Sequence, residues 1–94
     1  MRNFKKYRTT VLNLFADFLA GKINKTELLF ALGDIELEMQ GKKELWFKFS
    51  DDDTLTTTIQ DLNIDIYSRV NGEYIRERMQ FAIDNPKQFK IHYS

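Results

Sequence analysis

The acids of FSDDDTL, Phe49 to Leu55, are the first residues whose types and spacing could do chemistry. A phosphoryl-transfer motif of the form FDxDGTL would use its first aspartate as nucleophile, but Ser50 stands at that position and Asp53 replaces the glycine. The parallel sheet that such chemistry requires does not fit the patterning of this chain. The same acids fail as a calcium loop, which needs D-x-D/N-x-D/N-G and a glutamate at the twelfth position. Counted from Asp51, Leu55 takes the fifth position, Thr56 replaces the glycine and Leu62 stands in place of the glutamate. His92, the single histidine, lies in KIHYS without a second soft ligand, so a surface or packing role is expected. No catalysis, metal or cofactor is expected. Instead, SDDDT suits a helix start, with Ser50 or Asp51 as cap and the acids at the positive end of the helix dipole.

The totals agree. Ninety-four residues are enough for one small domain and too few for most catalytic folds, so residues 1–94 are read as a single domain. With 43% hydrophobic and 14% aromatic residues, the chain has the composition of a folded globule. The absence of cysteine removes disulfides and thiolate metal sites and suits a cytoplasmic protein. The start, MRNFKKYRTTVLNLFADFLAG, imitates a signal peptide, but Asn13 and Asp17 interrupt its apolar part, which repeats at helical spacing. No run reaches the roughly eighteen apolar residues of a membrane span, so no membrane partner is expected.

Phe4, Tyr7, Val11, Leu14, Phe15 and Phe18 recur at steps of three and four, which predicts a helix over residues 3–20. Gly21 fits the left-handed position after its last turn. Asn24, with Glu27 three residues on, resembles a capping box that starts a second helix at Lys25, antiparallel to the first. Leu55, Ile59, Leu62, Ile66 and Val70 mark a third helix over 52–69, although Thr56, Thr57 and Thr58 disfavour one. Asn71 and Gly72 make a turn, and Ile75, Met79, Ala82 and Ile83 mark a fourth helix over 72–84, ending before Asn85 and Pro86.

One stretch satisfies two templates. As a strand, IELEM would pair with ELWFKF across QGKK and place Ile35, Leu37 and Met39 on one face. As a helix over 25–40, Leu28, Ala31, Leu32, Ile35 and Met39 form one unbroken face, and Gly41 falls at its stop. The helix is favoured, although Gly33 inside it costs about 1 kcal/mol relative to alanine. The expected fold is therefore all-α, a small four-helix bundle, with an α+β fold carrying a hairpin at about 35–49 as the alternative.

The formal net charge is zero, which supports neither general nucleic-acid binding nor mimicry of nucleic acid. The distribution is uneven: from Glu27 to Asp65 ten acids face Lys42, Lys43 and Lys48, a net of minus seven between basic ends. At 100° per residue, Phe30 and Leu37 lie about 170° from the core line of the second helix, beside Glu27, Asp34 and Glu38. Two large apolar residues among three acids suggest a contact surface; the bland alternative is that they pack on the fourth helix or on the Trp46 segment. The third helix repeats the theme, with Ile64 and Tyr67 off its core line near Asp61 and Asp65. Such a surface suits a basic protein partner, because charge complementarity speeds encounter and apolar anchors supply binding energy. Arg2, Lys5, Lys6 and Arg8 lack the stacking aromatics or glycine-rich loops of a phosphate-contacting site, so no direct nucleic-acid binding is expected.

Three stretches, FLAGKINKTEL (Phe18 to Leu28), GKKEL (Gly41 to Leu45) and YSRVNGEYIRERM (Tyr67 to Met79), resemble the small immunity proteins of the colicin D type, which include those of contact-dependent inhibition systems. The segment LWFKFSDDDTLTTT departs from that pattern. The resemblance implies a helical bundle that binds a toxin nuclease domain and covers its active site with acidic groups standing in for tRNA phosphates. It transfers no contact residues, because the matched motifs are turns and caps. The expectation is thus a non-enzymatic immunity protein whose partner is a cognate toxin nuclease. Its contact residues are expected to be Glu27, Phe30, Asp34, Leu37, Glu38, Asp61, Asp65 and Tyr67. A small phage-type regulator or anti-defence protein that binds a host enzyme is the alternative.

Overall fold

Four helices pack with a small antiparallel sheet in the computed structural model, which describes residues 4–38, 45–52 and 56–93. The element order is α1 (Phe4–Leu19), α2 (Lys25–Glu38), β1 (Leu45–Lys48), β2 (Thr57–Thr58), α3 (Ile59–Tyr67), α4 (Asn71–Asp84) and β3 (Lys90–Tyr93). The four expected helices are present. The all-α expectation is corrected to α+β, because β1 sits at the centre of a sheet ordered β2-β1-β3.

The turn between α1 and α2 follows from local chemistry. Gly21 adopts φ +80°, its amide donates to the Phe18 carbonyl at 3.1 Å, and the Lys22 amide donates to the Asp17 carbonyl at 2.8 Å. That pair of bonds is a Schellman closure of α1. Three residues later the Asn24 amide donates to Glu27 Oε1, and the Glu27 amide donates to Asn24 Oδ1, both at 2.8 Å. The capping box read from the sequence is therefore closed in both directions.

Helix α2 runs through Ile35 and Glu38, so IELEM is helical as far as the described residues reach; Met39 and Gly41 lie outside them. Leu28, Leu32 and Ile35 are buried. The alternative hairpin is corrected as well: its second strand exists, but it pairs with the C-terminal KIHY instead of IELEM. Trp46 lies opposite His92 and Phe47 opposite Ile91, while Trp46 also faces Thr58. The pattern is the period of a strand, with Leu45, Phe47 and Phe49 buried and Trp46 and Lys48 only half-buried.

The third helix begins later than expected, at Ile59 instead of residue 52. Asp51 and Asp52 lie in a turn and residues 53–55, including Leu55, fall outside the described residues. The threonines decide the start: Thr57 and Thr58 extend along β1, where branched side chains fit. Thr58 Oγ1 then caps α3 by accepting from the Asp61 amide at 3.0 Å. Ser50 and Asp51 are therefore not the cap. The helix also ends at Tyr67 instead of residue 69, which leaves Val70 exposed instead of in the expected core line. Asn71 and Gly72 form no separate turn but open α4, where Ser68 Oγ accepts from the Asn71 amide at 3.1 Å.

The core joins both layers. Phe15 of α1 meets Phe47 edge-on at 6.1 Å, Phe89 at 5.7 Å and Phe49 at 5.9 Å between ring centroids. Phe89 also meets Phe47 and Phe49, so four rings lock α1 against the sheet, and each such pair adds about 0.5–1.5 kcal/mol beyond area burial. Val11, Leu62, Ile66, Ile75 and Met79 complete the core from the helices.

Candidate partner-binding surface

Helix α2 is apolar on two sides. Its inner side carries Leu28, Leu32 and Ile35, while Phe30 is 72% exposed and Leu37 71% exposed on the outer side. Neither therefore packs on α4 or on the Trp46 strand. Asp34 is exposed between them and Glu38 beside Leu37, so the residues at 30, 34 and 37 form one line along α2. Gly33 sits in the same surface, between Phe30 and Leu37, and a methyl group built there would touch nothing within 4 Å.

Helix α3 lies alongside α2. Tyr67, 56% exposed, is held at the start of α2 by a hydroxyl contact with Thr26 Oγ1 at 3.4 Å and by the Lys25 ammonium 4.8 Å from its ring centroid. At the other end a groove between the helices is lined by Leu29 and Glu36 from α2 and by Ile59, Gln60 and Asn63 from α3. Tyr67 thus joins the α2 surface, and Ile64 is also exposed on α3.

The remaining acids are placed differently. Glu27 is exposed, but its carboxylate is engaged in the capping box. Asp65 accepts from Asn71 Nδ2 at 3.3 Å, which turns it toward the start of α4. Asp61, one helical turn earlier, shares that flank of α3, away from Tyr67. The acidic surface beside Phe30 and Leu37 consequently consists of Asp34 and Glu38, with Glu27 at its end and Asp61 and Asp65 outside it.

Several interactions were not read from the sequence. Glu36 Oε2 accepts the Leu45 amide at 2.9 Å and ties α2 to the central strand. Tyr74 and Phe81 are exposed on α4, and Arg78 between them lies 4.6 Å from the Tyr74 ring and 5.9 Å from the Phe49 ring; desolvation lowers its pKa. Lys25 and Arg76 reach one cleft from different helices. Only the pair of Tyr74 and Arg78, four residues apart on α4, has a spacing signal; the others are made by the tertiary fold.

The fold and this surface define a small, mostly helical α+β protein with an outward acidic and apolar helix face. No family model matches the chain, and no curated protein or solved structure matches it. Among the described residues no helix is long and apolar enough to cross a membrane.

Proposed function

We propose that this chain is an immunity-type inhibitor, which binds a cognate toxin nuclease of the tRNA-cleaving kind and covers its active site without performing chemistry itself. The observation that carries the reading is the outer face of α2, where Phe30 and Leu37 stand exposed beside Asp34 and Glu38. A nuclease active site is basic because it holds phosphates, so an acidic surface gains from meeting it and the apolar pair supplies anchoring area. Tyr67 extends the anchor line toward α3, and a ring with a polar tip suits an interface. The resemblance of FLAGKINKTEL and YSRVNGEYIRERM to colicin D-type immunity proteins supports the same reading, although the α+β fold differs from the all-helical bundle it implied.

The test is co-purification with the product of the adjacent gene, followed by a nuclease assay with and without this chain. A stoichiometric complex with abolished cleavage is expected. No complex, or a complex that cleaves RNA undiminished, contradicts the proposal.

A further inference from the structure

Phe18 and Leu19 at the end of α1, Ile23 in the following turn, Lys25 and Thr26 at the start of α2, Tyr67 at the end of α3 and Arg76 of α4 line an open cleft of about 540 Å³. That volume lies in the range that small-molecule sites occupy. The Arg76 guanidinium lies 4.6 Å from the Phe18 ring centroid, and the Lys25 ammonium 4.8 Å from that of Tyr67. Long basic side chains on a surface ordinarily carry their heads out to water. These two line one cleft from different helices, each resting on a ring, with Lys25 half-buried and Arg76 exposed.

Among the described residues, no carboxylate lines this cleft. Two cations drawn into one space repel each other, and an anion between them converts that repulsion into attraction. The hydroxyls of Thr26 and Tyr67 bond to each other at 3.4 Å, which leaves one O–H to donate beside Lys25. Leu19 and Ile23 supply an apolar wall, and both are half-buried, so part of each still meets solvent. At the start of α2, Asn24 Oδ1 already accepts from the Glu27 amide, so the cleft's charge comes from the two side chains. The cleft is opposite in charge to the outer face of α2.

We propose that this cleft binds a small organic anion that joins a phosphate or carboxylate to a flat apolar body. The anionic group sits between Lys25 and Arg76, and the body lies on Leu19, Ile23 and the edge of Tyr67. The site shares Tyr67 with the proposed partner surface, but binding to it can be read in the free protein, without the partner.

The test is an amide NMR titration of the full chain at low salt with phenyl phosphate, benzoate, phenol and inorganic phosphate. Saturable shifts confined to residues 18–26 and to the surroundings of Tyr67 and Arg76 are expected with phenyl phosphate, benzoate or both. Which of the two binds identifies the head group. Inorganic phosphate and neutral phenol should each bind at least about tenfold more weakly. Lys25→Gln and Arg76→Gln should each weaken binding about tenfold with unchanged circular dichroism, Arg76→Lys should retain part of it, and the distant Lys87→Gln should leave it intact. Absence of saturation at millimolar ligand overturns the proposal. So does inorganic phosphate binding as well as phenyl phosphate, which marks an adventitious ion only, or full binding by folded Lys25→Gln and Arg76→Gln variants.

Discussion

Phe30 and Leu37 stand two turns apart on the side of α2 opposite its buried leucines, both more than two-thirds exposed, with Asp34 between them. A helix apolar on both sides has one side too many for its own core. Truncating these residues separates folding from binding. Phe30→Ala and Leu37→Ala should each change unfolding free energy by no more than about 0.5 kcal/mol, since neither fills the core. Each should weaken the proposed complex with a nuclease by about 2 kcal/mol, as interface anchors do. Chemical denaturation and calorimetric titration measure the two quantities; a loss of stability without a loss of affinity would return both residues to the core.

Gly33 lies in the same face, and nothing inside the protein requires a glycine there. Its backbone is helical, and an added methyl group meets open space. Gly33→Ala should therefore stabilise the free chain by about 1 kcal/mol, seen as a raised urea midpoint. An unchanged or lowered midpoint would contradict the helical placement of this residue.

The Glu36 carboxylate takes up the first amide of the central strand. Glu36→Ala leaves the Leu45 amide without that acceptor in a part-buried setting, and a loss of about 1–3 kcal/mol is expected. Glu36→Gln keeps an acceptor oxygen and should lose less. Equal melting of both variants with the wild type would show that the bond carries no stability.

Thr58 caps α3, so Thr58→Ala should destabilise the protein by about 1 kcal/mol or more, whereas Ser50→Ala and Asp51→Ala should not weaken that helix. Thermal melts of the three variants distinguish the observed start of α3 from the earlier start that SDDDT suggested.

That contrast shows where the sequence was legible. The turn from Gly21 to Glu27 is made by bonds between residues no more than five apart, and its glycine and its Asn–Glu pair announce it. The phase of α2 was equally readable, because Leu28, Leu32 and Ile35 on one side fix Phe30 and Leu37 on the other. The sheet was not. The alternative reading did mark ELWFKF as a strand, but its main partner, KIHY, lies at the far end of the chain, so only tertiary pairing reveals that partner. Thr57 and Thr58 carried the correct local signal against a helix, and the acids before them drew the cap to the wrong place. The acidic surface was legible only in part: Asp34 and Glu38 follow from helix phase, but the turn of Asp65 toward Asn71 depends on how α3 meets α4. The cleft between Lys25 and Arg76 joins residues half a chain apart.

The measurement that tests the central claim most directly is the association rate of this chain with its proposed partner, the product of the adjacent gene, at low and at high salt. For the double reversal Asp34→Lys, Glu38→Lys, the account predicts an association at least about tenfold slower at low salt, a flatter salt dependence and an unchanged circular dichroism spectrum. Association at the wild-type rate with the wild-type salt dependence would contradict it and move the contact away from α2.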